Sequence, residues 1–478
     1  MAPAGRPSPT LLFPALALGV GAAVLALAPP KAALLVVVAG ILCLVAFLNT
    51  EITIHLIILA MLLSPEAIVG AGGVQFGKVQ KGGQAVFRLE DVLLVIAGLS
   101  WLARTAFNKE LGLFLRTPLN KPIAAYAVAN VLATTVGVLS GTVRSVAGFF
   151  FVLKYLEYFV LYFMMVNNLR DEAQLRRFLC TGFATCAIAS VIGILQIPSG
   201  ERVASPFEGR YGEPNTFGGY LLFMLALLVA CWLQSRTLPG FAGWSALILL
   251  ALIPFAFTLS RASYLGAIPL ALLLLALSER KLWVLLPLAI LVIAGSVVLP
   301  KQVVERIAYT YSQPPMEGQV QIGNTRLDTS TSARLTSFKY GLEGWTKRPL
   351  LGYGVTGFAF MDAQYVRTLT ETGILGLAAF LWLAASIFRT AWTAFKTMTE
   401  PLYRGLAMGY LAGFAALLAH GIGANTFIIV RIMEPFWFFT AIVMMLPTLV
   451  AAPVAAAPAR PRPAGGLALP LPPRGAAV

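Results

Sequence analysis

Apolar runs long enough to cross a bilayer recur along nearly the whole chain, and this repetition constrains the fold more than any other feature. A helix rises about 1.5 Å per residue and a hydrocarbon core is about 30 Å thick, so about 20 apolar residues span it. Runs near that length fall at 10–28, 32–48, 51–69, 90–107, 121–140, 146–167, 175–197, 214–234, 241–259, 262–278, 281–299, 372–395, 402–421 and 430–450. The chain is 58% hydrophobic and only 12% charged, whereas soluble domains carry about 25% charged residues. A soluble single domain is excluded, and so is a β-barrel, whose strands alternate over about ten residues. The expected fold class is all-α: a polytopic helical integral membrane protein of about 12–14 transmembrane helices, with a large outer-face loop containing amphipathic helices.

The chain divides into N-terminal transmembrane helices (1–197), central helices carrying arginine motifs (198–299), a large outer loop (300–371), C-terminal helices (372–450) and a tail (451–478). The tail is Ala, Pro, Gly, Leu and Arg, which cannot bury a core and reads as disordered. Only Arg6 precedes the first run and Pro29-Pro30 lacks a small-residue cleavage pattern, so that run is expected to be a retained helix. Cys43, Cys180, Cys186 and Cys231 all lie within apolar runs and read as small hydrophobes.

Lys and Arg in short connections set orientation. With both termini inside, the basic stretches Arg104 to Lys121 and Arg170 to Arg177 fall in the cytoplasm, while only Lys31, Arg144, Arg261 and Arg431 stand in short outer connections. The remaining outer cations concentrate in segments 70–88, 198–213 and 300–371. The net charge of +15 therefore combines a topology signal inside with a basic surface outside. In the last segment Leu335, Phe338, Leu342 and Trp345 recur at spacings of three and four behind candidate N-caps Thr331 and Ser332. This pattern predicts an amphipathic helix on the outer membrane surface.

Motif by motif, soluble nucleotide chemistry is disfavoured. Gly352, Gly354 and Gly357 spell GxGxxG, but no βαβ unit surrounds them. No phosphate-binding GxxxxGK[ST] loop, HExxH or paired-aspartate motif occurs, and the chain has just four aspartates, Asp91, Asp171, Asp328 and Asp362. No metal or cofactor is expected, so group transfer would draw its energy from an activated substrate.

The informative residues collect on one predicted face. Phe207-Glu208-Gly209-Arg210 and Glu213-Pro214-Asn215 precede the eighth run, and Ser260-Arg261 forms the connection between the ninth and tenth. An arginine held within hydrocarbon costs about 2.5–3.5 kcal/mol unless water or an anion attends it. Lys154 and Glu157, one turn apart, read as a structural pair, as do Arg431 and Glu434; Glu90 and Asp91 suit the N-terminal dipole of their helix. His55 and His420 read as satisfied core residues.

Arg210 with Pro214-Asn215, the Ser260-Arg261 turn, Arg334 with Trp345 and Pro349-Leu350-Leu351-Gly352-Tyr353-Gly354, and Asp362-Ala363-Gln364-Tyr365 followed by Leu369, Glu371, Gly373 and Gly376 together resemble the O-antigen ligase and polymerase family, the Wzy and WaaL type. The likeness runs over roughly residues 200–400. It implies a GT-C-like glycosyltransferase fold and transfer of a glycan from an undecaprenyl-diphosphate-linked donor to a glycan or lipid-linked acceptor. It places the work at the outer face of a bacterial cytoplasmic membrane, among membrane lipids and alongside a chain-length regulator or other polysaccharide-assembly proteins, with no nucleic acid. Breaking a sugar–diphosphate bond develops negative charge that fixed guanidinium groups stabilise without a metal. Arg210 and Arg261 are the expected catalytic cations, with Glu213, Asn215, Arg334, Tyr365 and Glu371 binding substrate. Ligases of the family resemble one another in a histidine nine residues before the Glu-x-Gly element, where this chain has Asp362. Asp362 is therefore the candidate base, though it is also placed to hold Arg367 or to start a helix. The departure favours polymerisation of repeat units over ligation of a finished glycan, and a lipid-linked glycan flippase is the alternative of another class.

The topology is testable with an impermeant thiol reagent on intact cells. Lys109→Cys is expected to resist labelling and Gln319→Cys to react; labelling at 109 overturns the orientation.

Overall fold

A computed structural model describes residues 41, 44, 45, 48–64, 66–70, 73–76, 86–107, 117–208, 212–322 and 325–450. The expected helix at 10–28, most of that at 32–48, Lys31, Cys43, Lys109, Arg116, Arg210 and the 451–478 tail lie outside the described residues. In chain order the elements are α1 (Thr50–Leu63), β1 (Glu66–Gly70), β2 (Gly73–Phe76), β3 (Val86–Arg88), α2 (Leu89–Phe107), α3 (Asn120–Leu139), α4 (Ser145–Asn168), α5 (Glu172–Gln196), α6 (Pro214–Gln234), α7 (Leu238–Phe257), α8 (Arg261–Leu277), α9 (Lys281–Val298) and α10 (Lys301–Ser312). There follow β4 (Gln321–Ile322), β5 (Thr325–Arg326), α11 (Thr329–Lys347), α12 (Gln364–Thr397), α13 (Pro401–His420) and α14 (Val430–Val450). Among the described residues eight helices are long and apolar enough to cross a membrane, namely α3 to α7 and α12 to α14, and shorter apolar helices lie at α1, within α2, at α8 and within α9. The chain is a polytopic, predominantly helical membrane protein.

Helix limits follow local chemistry. The run at 51–69 stops as a helix at Leu63, because Ser64 precedes Pro65 and adopts the extended φ −82°, ψ 139° that a following proline enforces. Residues 66–70 instead form the central strand of an antiparallel sheet in the order β2-β1-β3. The amphipathic segment is helical as α11, but its N-cap is Asp328, whose side chain accepts from the Thr331 N–H, rather than Thr331 or Ser332. Its buried positions are Ser332, Gly341 and Gly344, while Leu335 and Leu342 remain exposed.

The core sits where α14, buried along nearly its whole length, packs against α4 and α6. α6 and α13 approach most closely. Gly405, Gly409 and Gly413 recur every fourth residue of α13, and an added Cβ would stand 2.9 Å from Cys231 Cα at Gly405 and 2.7 Å from Leu227 Cα at Gly409. Small residues at this spacing let backbones meet and substitute van der Waals contact for a hydrophobic drive that lipid does not supply.

Two features place polar groups inside this apolar frame. On α4, Lys154 pairs with Asp91 of α2 and, at 3.3 Å, with Glu157. Lys154 is nine residues into α4, about 14 Å along its axis, so Asp91 serves a buried ion cluster as well as its own helix start.

The second is a break in α12 at Gly373, with φ 65° and ψ −168°. A break frees carbonyls before it and N–H groups after it; here Thr370 to Gly373 are buried in protein, where such groups must be paired. The Pro349–Gly354 loop pairs them: Tyr353 N–H donates to the Thr370 carbonyl (2.9 Å), Gly354 N–H to the Glu371 carbonyl (2.8 Å), and the Pro349 carbonyl accepts from Ile374 N–H (2.9 Å). GYGVTG is thus a clamp on a broken helix. Gly373 occupies a region open essentially to glycine alone, and a Cβ there would strike the Leu350 carbonyl. Gly373→Ala is expected to cost about 1–3 kcal/mol from conformation alone. Thermal unfolding in detergent should show a lowered midpoint, while Gly243→Ala, in open space, leaves the midpoint unchanged or higher.

Candidate active site

The first turns of α6, α8 and α11 and the start of α12 meet at one end of the bundle. Ser260 caps α8, accepting from the Ser263 N–H, and its hydroxyl donates to Asn215 Oδ1 at 2.8 Å. Gly218 permits this approach, since a Cβ would run into Ser263 and Ser260. Leu259 adopts a left-handed φ of 49°, a strained turn for a branched side chain. Arg202 holds that turn by donating from Nε to the Thr258 carbonyl (2.9 Å) and from Nη2 to the Leu259 carbonyl (3.1 Å).

From the capped turn Arg261 reaches into the 300–371 segment, donating to Thr310 Oγ1 at 2.9 Å and to Asp328 Oδ2 at 2.7 Å. The Asp328 side chain is 2% exposed. One carboxylate thereby caps α11 and ties it to α8. Arg334, one turn further along α11, lies 3.6 Å from the Asp362 carboxylate, whose side chain is 39% exposed. Arg202 lies within electrostatic range of Arg261, Arg306 and Arg334, and Arg306 within range of Arg261 and Arg334. Burial first, and repulsion from Arg306 next, bring the Arg202 guanidinium down to about 10. Burial and then the Arg261 charge likewise lower Arg306. Four guanidinium groups gathered around two carboxylates leave an excess of positive charge, the arrangement that recruits a multivalent anion.

Arg367, Glu371 and Tyr155 form an adjoining buried group. Arg367 Nε donates to Glu371 Oε1 at 3.1 Å and Nη2 to the Tyr155 hydroxyl at 3.1 Å. Glu371 Oε1 also accepts from the Thr356 N–H at 3.2 Å, which joins it to the helix clamp. A cavity of about 10 Å³, lined by Tyr126, Asn130, Gln364 and this trio, has room for about one water. The start of α12 is pinned from behind: Gln364 N–H donates to the Gly421 carbonyl (3.0 Å), and Asn425 Nδ2 donates to the Met361 carbonyl (2.7 Å).

The structure thus brings Asn215, Arg261, Arg334 and Asp362 to one end of the bundle. Glu213 is exposed at the N-cap of α6, its N–H donating to Glu208 Oε2 at 2.9 Å. Tyr365 directs its hydroxyl inward, donating to the Leu418 carbonyl at 2.5 Å, and Glu371 is held by Arg367. Arg210 lies outside the described residues, but the loop before it is fixed by Arg431. That fully buried guanidinium donates to the carbonyls of Pro206 (2.7 Å) and Ser64 (3.0 Å) and approaches Glu208 at 3.6 Å. Arg431 therefore anchors Pro206 and Glu208 as well as Ser64, beyond the expected helical pair with Glu434. His420 and His55 bond to Thr426 (2.7 Å) and Thr181 (2.8 Å), as core residues do. Arg202 and Arg306 complete the cationic cluster and Asp328 ties it to α11, although no sequence motif marks any of the three.

Fold and site together define a multi-pass membrane protein with an arginine-rich polar end. Residues 246–381 match the family model Wzy_C, O-Antigen ligase; this segment of the chain is similar to that family, and the match supports a membrane enzyme of polysaccharide assembly. The match spans Arg261, Arg306, Asp328, Arg334, Asp362 and Glu371. No curated protein matched the chain.

Burial on its own would raise the Asp328 carboxyl, yet the bonds from Arg261 and Thr331 outweigh it and hold the group below its ordinary value of 3.8. A depressed folded-state value means that its stabilisation is complete above about pH 4 and is lost as the pH falls through the lowered value. Protease resistance of the 300–347 segment is expected to fall in that acid range. Asp328→Asn should show the same sensitivity already at pH 7.

Proposed function

We propose that this protein polymerises undecaprenyl-diphosphate-linked oligosaccharide repeat units at the outer face of the cytoplasmic membrane, without a metal. The observation that carries this reading is the cluster of Arg202, Arg261, Arg306 and Arg334, of which Arg334 lies 3.6 Å from the accessible Asp362 carboxylate. The guanidinium groups bind the diphosphate and stabilise the charge that it gains as the sugar–oxygen bond breaks; the forked geometry of arginine suits phosphate oxygens and stays charged at any working pH. Arg210 and Asn215 complete this anion site. Asp362 accepts the proton of the attacking acceptor hydroxyl, while Arg334 holds the carboxylate in place. Inverting transfer tolerates a weak base, because the proton leaves late, once the sugar carbon carries positive character. Glu213 and Tyr365 shape the substrate approach, and Glu371 does so through Arg367. The expected partners are the lipid-linked donor, a glycan or lipid-linked acceptor, membrane lipids and other polysaccharide-assembly proteins.

A second reading, ligation of a finished glycan to a different acceptor such as lipid A-core, is favoured by the description of the matching family model as an O-antigen ligase. The two differ in what accumulates when the protein is lost: carrier-linked single repeats for a polymerase, finished carrier-linked polymer for a ligase.

Asp362→Asn keeps size and removes basicity, so transfer is expected to slow by about 10²–10⁴-fold and carrier-linked repeats to build up. Arg261→Lys keeps charge and loses the fork, and should lose most activity with the protein still folded. Mass analysis of carrier-linked glycans in complemented cells reads both; normal polymer from Asp362→Asn removes the assigned base.

A further inference from the structure

Immediately before α12 the chain alternates between core and surface. Phe360 is 76% exposed, Met361 and Ala363 are buried, and Asp362 between them is half-exposed. The buried pair is fastened from behind, through the Met361 carbonyl to Asn425 and through the adjoining Gln364 N–H to Gly421. Phe360 is therefore held on the open side by its neighbours, on the same side as Asp362 and at most about 7 Å from it along the chain. Its ring is also supported: the Arg367 guanidinium lies over it, 5.6 Å from the centroid, and Arg367 is itself fixed by Glu371 and Tyr155. One face of an exposed phenyl ring is thus braced by a buried cation while the rest lies open beside a carboxylate.

We propose that Phe360 is a stacking platform for the acceptor sugar, whose hydroxyl it presents to Asp362. This inference rests on the glycan-transfer reading and names a subsite within it. A sugar ring has an apolar face of C–H groups and a rim of hydroxyls, so it satisfies an aromatic face and a carboxylate at once. An acyl chain satisfies the ring but not Asp362 or Arg334, and a diphosphate is repelled by the carboxylate. The aromatic face remains open to the acceptor while the arginine cluster beyond Arg334 takes the donor's charge. The two substrates therefore meet across Asp362.

The test uses full-length protein in phospholipid vesicles, with carrier-linked repeats as donor and, as acceptor probe, the repeat oligosaccharide released by mild acid from the polysaccharide of the source cell. Phe360→Leu, apolar but without an aromatic face, is expected to raise acceptor KM by about tenfold with kcat within about twofold and donor KM unchanged. Phe360→Tyr, which retains the face, is expected to stay near the wild type. In Phe360→Trp, titration of the oligosaccharide alone should shift indole emission, and this shift should saturate. An active wild type whose Phe360→Leu variant has unchanged acceptor KM overturns the inference and leaves the functional reading standing. Quenching of the Phe360→Trp indole by brominated phospholipid, with the acceptor KM of Phe360→Leu unchanged, also overturns it and makes Phe360 a lipid contact. A folded wild type that transfers no glycan overturns the functional reading, and the subsite falls with it.

Discussion

Buried away from water, an unpaired backbone carbonyl or amide costs about as much as a lost hydrogen bond, and the rest of this molecule is arranged around one place where that cost arises. Gly373 interrupts α12, and the Pro349–Gly354 loop repairs the interruption bond by bond. Because the loop follows α11, the repair fixes α11 against the bundle. Because Glu371 lies in the turn before the break, the repair also fixes Arg367 and the ring of Phe360. The Thr142 hydroxyl donating to the Tyr353 carbonyl at 2.7 Å, and the Val355 N–H donating to Thr134 at 3.2 Å, carry the same constraint back to α3. An irregular loop at this position is tolerated only because protein surrounds it.

Electrostatics is organised in a similar way. Arg261 would be costly at the head of an apolar helix, and the capping carboxylate of Asp328 relieves it while holding its guanidinium within electrostatic range of Arg306. The pair is a joint between the membrane helices and the 300–347 segment as much as a local neutralisation. Such a pair is weak evidence for stability, since desolvation consumes most of the attraction. What it secures is orientation, on which a charge-stabilising site depends.

Much of this was legible in sequence. Apolar run length located the spanning helices from 120 onward to within about three residues, except that α12 begins at Gln364 rather than 372, since hydropathy over about 20 residues reports a real physical thickness. Pro65 was available to end α1 early, but the apolar run beyond it masked the stop. The site was half legible: Ser260-Arg261, Arg334 and Asp362 stand in recognisable surroundings, whereas Arg202 and Arg306 acquire meaning only from proximity. Spacing identified α11 as a helix but assigned its face by hydrophobicity, and the packed side proved to be Ser332, Gly341 and Gly344. Close helix contact selects small residues, which a hydrophobic pattern does not score. GYGVTG was rejected as a nucleotide loop from context, yet its service to Gly373 is a long-range hydrogen-bond pattern that no local window contains.

The cluster of Asp91, Lys154 and Glu157 bears on how the chain is made. Ribosomes deliver α2 before α4, so Asp91 reaches the insertion machinery before Lys154 has been synthesised. A charged side chain near the middle of a membrane helix adds about 2.5–3.5 kcal/mol to insertion; Lys154, nine residues into α4, stands in that position, whereas Asp91 stands in the first turn of α2. The carboxylate that offsets the cost is therefore already made when Lys154 emerges, and the ion cluster closes as α4 packs against α2. Chain order thus supplies the counter-charge before the charge that needs it.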